Sequence, residues 1–190
     1  MRLKDEEKVT RIYRSAMMVI NREGFQGSSM SKIAKEADIS PATIYLYFEN
    51  KDDLLKRLFV ELKSGMGHSY FQEGMELAPS KGTFRTIWIN HYQYITNHMD
   101  EYVFLENFSN CPLIEHIEEK ETLDYCPVFE NLFGQSKGTG LLQPLHNDII
   151  YSLLFAPISY MVKKKKSQNQ TLSTNELIQL FEASWRAVSL

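Results

Sequence analysis

Apolar positions recur along the start of this 190-residue chain with the period of a helix. Val9, Ile12, Tyr13, Ala16, Met17 and Ile20 fall three or four residues apart, which predicts an amphipathic first helix with one buried face. Gly24 ends it in the position that favours a left-handed cap, and Phe25 just beyond is placed to fold back onto the helix. Ser28 or Ser29 is predicted to cap a second helix that runs to about Ala37 and buries Ile33, Ala34 and Ala37. Asp38 and Ile39 form a turn. Ser40 caps a third helix, and Pro41 occupies its first turn, where a missing N–H costs nothing. Ile44 and Phe48, four apart, face inward and leave Ala42, Thr43, Tyr45 and Leu46 pointing out. Asn50 and Asp53 resemble a capping box for a fourth helix, whose buried face continues through Leu54, Leu55, Leu58 and Phe59.

No linker follows, and no alternating strand pattern appears. Helices are predicted over residues 82–98, 101–110 and 113–133, with Gly134, Gly138 and Gly140 marking a loop. The next runs from beyond Pro144 to the Lys163–Lys166 run, with Pro157 expected to kink it or free a carbonyl. A polar loop leads to a last helix with Ser173 and Glu176 as its capping box. The prediction is an all-α fold: a three-helix, helix-turn-helix domain over residues 1–50, joined through a shared helix to a helical domain over residues 51–190. Two short helices about a tight turn, the second with a small, hydroxyl-rich outer edge, are the layout of a DNA reader. The same shape also occurs as plain packing in helical proteins.

Charge alone does not announce nucleic acid. The formal net charge is −3; residues 1–62 carry 11 Lys and Arg against 10 Asp and Glu, and residues 63–190 carry 10 against 14. Binding must then rest on locally placed cations, hydroxyls and helix N-termini. Cys111 and Cys126 are too few for a zinc site and read as free thiols of a reducing cytoplasm. The first residues are charged, unlike a signal peptide. The longest apolar stretch, Ile149 to Val162, is shorter than the ~20 residues a membrane span needs. A soluble, cytoplasmic protein is expected. The Glu115–Glu119 patch fits no standard metal spacing, and no nucleophile set or phosphate loop is present, so neither an enzyme nor a metal or cofactor protein is expected.

Residues 9–58 resemble the DNA-binding domain of the TetR family of transcriptional regulators. The resemblance rests on Ile12, Ala16, Gly24-Phe25, Ile33-Ala34 and Ala37, and above all on Ser40-x-x-Thr43-Ile44-Tyr45-x-Tyr47-Phe48-x-Asn50-Lys51-x-x-Leu54. Asp38 stands where the family usually has Gly, which implies a small stability cost, and Ile20 where it usually has an aromatic. The resemblance implies phosphate contacts at Tyr47, Lys51, Ser28, Ser29 and the start of the second helix, with Lys32 beside them. It implies a base-facing edge made by Pro41, Ala42, Thr43, Tyr45 and Leu46. Small residues there let a helix sink into a major groove, and the Thr43 methyl suits thymine.

One short recognition helix touches few base pairs, so a homodimer on a palindromic duplex is expected, with half-sites about one turn (~34 Å) apart. The family pairs its last two helices in a four-helix bundle. Ile150, Leu153, Leu154, Ile158 and Met161, with Leu177, Leu180, Phe181, Ser184, Trp185 and Val188, are the candidate interface. The family body holds a ligand cavity, and Trp88, His91, Tyr92, Phe104, Asn107, Phe108, Tyr125 and Phe129 are candidate walls for a small apolar or aromatic effector; ordinary core is the alternative for each. The whole reads as a ligand-responsive repressor. The rivals are a regulator that senses a protein partner and a helical small-molecule binding protein with a vestigial reader.

Overall fold

The computed structural model describes residues 2–71, 75, 77–109 and 126–190, with side chains from Asp5 onward and none at Cys126. The described residues are helical, without strands; the one bridge, Leu142 to Ser189, is isolated. The elements are α1 (Arg2–Gly27), α2 (Met30–Glu36), α3 (Pro41–Ile44), α4 (Lys51–Tyr70), α5 (Lys81–Asn97), α6 (Met99–Ser109), α7 (Cys126–Gly138), α8 (Asn147–Ser167) and α9 (Thr174–Val188). They divide into two compact units. The first holds the described residues up to Lys63 together with α6, and the second holds the remainder, so the division falls within α4.

In the first unit, α1 is broken at Gly24 (φ 74°, ψ 172°), a left-handed conformation that glycine adopts at no steric cost. Phe25, just past the break, reaches α6. Its ring meets Phe104 and Phe108 of α6 at 6.2 and 5.6 Å, and Phe108 stacks on Phe59 of α4 at 4.7 Å. The core is the expected apolar face: Ile12, Ala16 and Ile20, then Ile33, Ala34, Ala37, Ile44 and Phe48, then Leu54, Leu55, Leu58 and Phe59. Burial at these positions is what fixes the short helices, because isolated helices of this length are unstable in water.

Chain reversals are made by residues at positive φ. Asp38 (φ 53°) ends α2: its N–H reaches the Lys35 carbonyl at 3.2 Å, and the Ile39 N–H reaches Ala34 at 3.0 Å. Gly140 (φ 75°) ends α7 in the same way, with Gly140 N–H to Lys137 at 3.1 Å and Leu141 N–H to Ser136 at 2.9 Å. This paired pattern satisfies the last helical carbonyls. The helix therefore runs through Gly134, where the sequence suggested a loop. Buried Leu132, Phe133 and Ser136 hold it, outweighing the ~1 kcal/mol that a helical glycine costs. The start expected at residue 113, with Tyr125, Cys111 and the acidic patch, lies outside the described residues.

The second unit packs α5 against α8 and α9. Phe84 meets Phe133 and Trp185 at 6.0 and 5.4 Å, and Trp88 meets Phe181 edge-on at 5.5 Å. Pro157 lies inside α8 without ending it. It has no N–H to give the Leu153 carbonyl, and one residue along, the Leu154 carbonyl accepts the Trp88 indole N–H at 2.9 Å. A buried polar chain crosses the aromatic core. Tyr70 Oη lies 2.6 Å from His91 Nδ1, His91 Nε2 lies 2.9 Å from Ser159 Oγ, and Ser159 donates to the Phe155 carbonyl at 2.9 Å. Because the Ser159 proton is used, Nε2 must carry a proton, and in the neutral ring Nδ1 accepts from Tyr70. The capping box at Ser173 and Glu176 forms as read from the sequence.

Asp38→Gly should raise stability by about 0.5–1 kcal/mol, and Gly140→Ala should lower it by about 1 kcal/mol or more. A Cβ at Gly140 meets nothing within 4 Å, so backbone strain alone would set that cost. Urea unfolding followed by circular dichroism measures both.

Candidate nucleic-acid interface

α3 is a single turn held from two sides. Ser40 caps it, accepting the Thr43 N–H at 3.1 Å, and Pro41 supplies the first helical φ. Ile44 and Phe48 are buried; Phe48 lies against Tyr13 at 5.6 Å and under the Arg57 guanidinium at 5.7 Å. With the inner side anchored, the helical period places the others outward. Pro41 and Ala42 are exposed, Tyr45 is 55% exposed and Leu46 79%. Thr43 is half-buried, its hydroxyl 2.8 Å from that of Ser40. The result is a ridge of small and aromatic groups.

The polar groups expected to meet phosphates are already engaged. The Tyr47 hydroxyl donates to Asp5 Oδ1 at 3.0 Å. Lys51 Nζ, half-buried, donates to the carbonyls of Phe25 at 2.8 Å and Ser28 at 3.3 Å. Lys32 Nζ donates to Glu23 Oε2 and to the Gly27 carbonyl, each at 2.7 Å. Arg22 bridges Glu23 and Glu36, both at 3.1 Å. Lys32 first, and Arg22 after it, hold the Glu23 carboxyl below the usual carboxylate range. Ser28 departs from expectation: it is buried and its hydroxyl donates inward to the Phe25 carbonyl at 2.8 Å, while Ser29 is the cap that accepts from Lys32 N–H. The Gly24 break turns the Phe25 carbonyl toward both Ser28 and Lys51, which is why the two converge on it.

Two residues were not singled out in the sequence. Lys35, exposed and without an ion pair among the described residues, lines a surface hollow with Ser31, Ser40 and Pro41. Its position one turn after Lys32 carried only a weak signal. Asp5 gave none, because its pairing with Tyr47 spans 42 residues.

The other expected sites redistribute. Phe104 and Phe108 are buried in the first unit, beside Phe25 and Phe59, and Asn107 is exposed. His91 and Phe129 are buried in that set; Trp88 and Tyr92 border a groove between α5 and α9. Of the expected dimer stripe, Ile150, Leu154, Ile158, Phe181, Ser184, Trp185 and Val188 are buried in their own subunit, a correction. α5 packs on both helices and claims that face. Leu153, Met161, Leu177 and Leu180 remain half-buried. Exposed Ile149 and Tyr160 lie on the outward side of α8.

Comparison with known proteins matches residues 12–58 to the model for bacterial regulatory proteins of the tetR family, and residues 79–189 to that for the tetracyclin repressor-like C-terminal domain. An uncharacterized HTH-type transcriptional regulator of Haemophilus influenzae is 27% identical over 99% of both chains. The crystal structure of a TetR family transcription regulator from Marinobacter aquaeolei VT8 superposes with a TM-score of 0.84 at 24% identity, covering 100% of this chain and 99% of that one. The transcriptional regulator FadR of Bacillus subtilis, solved in complex with stearoyl-CoA, superposes with a TM-score of 0.66 at 23% identity, over 93% and 95% of the two chains.

Lys51→Met keeps the aliphatic stem and removes both carbonyl contacts. It should lower unfolding free energy by about 1–2 kcal/mol, since hydrogen bonds to a charged donor are worth more than neutral ones and this donor is only half-buried. Urea titration without DNA gives the value.

Proposed function

Because the chain belongs to the TetR family of bacterial regulatory proteins, we propose that it acts as a dimeric repressor of a palindromic operator, released by a small apolar or aromatic molecule. The exposed ridge from Pro41 to Leu46 carries this reading. Tyr45 and Leu46 are large apolar groups left in water although burial would stabilise each by about 1.5–3 kcal/mol. A major groove supplies the missing partner, with thymine methyls for apolar contact and base edges for Thr43. Ser29, Lys32, Lys35, Tyr47 and Lys51 flank the ridge as phosphate contacts. Ser28 supports them from beneath, through the Phe25 carbonyl that it shares with Lys51.

Tyr47 reaches a phosphate only by releasing Asp5, so Asp5 competes with DNA for the same hydroxyl. Dimerisation through the outward sides of α8 and α9 doubles the contacts and sets half-site spacing. The effector works by preferring a conformation with the wrong spacing. The aromatic second unit suits an apolar effector, and FadR with its stearoyl-CoA is a precedent for such a molecule on this fold.

Fluorescence anisotropy on a labelled operator duplex, repeated across salt concentrations, tests the docking. Lys35→Ala should weaken binding to all sequences and lower the salt slope by about 1. Asp5→Ala should tighten binding to all sequences severalfold. Thr43→Ala should mainly relax sequence preference. Wild-type affinity, slope and preference in all three would refute the docking.

A further inference from the structure

The second unit carries a groove that the reader does not use. It lies between α5 and α9, about 200 Å³ in volume. Outside its lining, Lys81 of α5 and Glu182 of α9 pair at 2.8 Å. The floor is the edge-on pair of Trp88 and Phe181, both nearly buried. Since the Trp88 N–H is spent on the Leu154 carbonyl, that floor offers only carbon. Ile89 and Ile178 form the walls, 37% and 47% exposed. At the mouth stands Arg85, one turn along α5 from Lys81, exposed and with no hydrogen bond or ion pair among the described residues. Lys81 neutralises Glu182, so the Arg85 charge at that end is unbalanced.

A mainly apolar trough, lined also by Gln93 and Thr174 and carrying one unpaired guanidinium, complements a molecule of matching polarity. Apolar surface gains by leaving water. A carboxylate at the mouth accepts the planar fork of Arg85 in two parallel hydrogen bonds. The volume is below the ~300–1,000 Å³ of drug-sized sites, so the occupant is small. We infer that the α5–α9 groove binds a small amphipathic carboxylate, with its chain between Ile89 and Ile178 and its head on Arg85. This deepens, and rests on, the reading of the second unit as the effector-binding part.

Octanoate is the probe and octanol its neutral control. Isothermal titration on the full chain gives affinities, and isoleucine-methyl NMR gives location. Octanoate should bind more tightly than octanol. Arg85→Gln, at an exposed position that folding does not need, should weaken octanoate about fivefold and leave octanol unchanged. Ile178→Trp, filling the trough, should abolish both, and the Ile89 and Ile178 methyl signals should move on titration. Equal octanoate affinity in wild type and Arg85→Gln overturns the proposal. So does binding that leaves both methyl signals still, or movement of those signals with protein concentration alone, which would mean a second copy of the chain covers the groove. Operator anisotropy on the same samples separates the two claims. Intact DNA binding with no octanoate binding sinks the groove alone, whereas absent DNA binding sinks the regulator reading.

Discussion

A helix of four residues cannot hold itself. α3 has one turn, too few hydrogen bonds to offset the dihedral freedom lost in forming it, and its position depends on the burial of Ile44 and Phe48. These two residues, four apart, fix one side of the turn and so dictate which side faces water. The Ser40 cap and Pro41 then set where the turn begins. The exposed edge from Pro41 to Leu46 is oriented by apolar contacts on the opposite side. The buried anchor and the exposed edge are one constraint expressed on two faces.

The same economy governs the charged groups around the ridge. Lys51 and Ser28 both donate to the carbonyl that the Gly24 break exposes, and Lys32 closes onto Gly27. These groups shape the segment leading into α2 before any ligand arrives. In the proposed docking a phosphate would meet an edge whose donors are already oriented, at the cost of competing with Asp5 and Glu23. With a formal charge of −3 over the chain, attraction from a distance is weak. Recognition must come from short-range fit.

Much of this was legible in the sequence because it is local. The three-residue and four-residue spacings marked the core of the first unit, and Ser40-Pro41, Asn50-Asp53 and Ser173-Glu176 marked helix starts. What was not legible is what joins distant residues or depends on which of two apolar sides a helix buries. Asp5 and Tyr47 are one example. The placement of Phe104 and Phe108 beside Phe25 and Phe59 is another. The last two helices are apolar on more than one side, so periodicity alone could not say that Phe181 and Trp185 turn toward α5 while Tyr160 turns to solvent. Gly134 misled because helix propensity is a weak prior that packing overrides.

The central claim is that the Pro41–Leu46 ridge reads duplex DNA in two copies. Enrichment of bound duplexes from a random-sequence pool tests it most directly, run with wild type and with Tyr45→Ala. The account predicts that wild type enriches an inverted repeat whose halves lie about one helical turn apart, and that Tyr45→Ala fails to enrich it. Enrichment of the same repeat by both proteins, or no shared sequence from wild type, would contradict it.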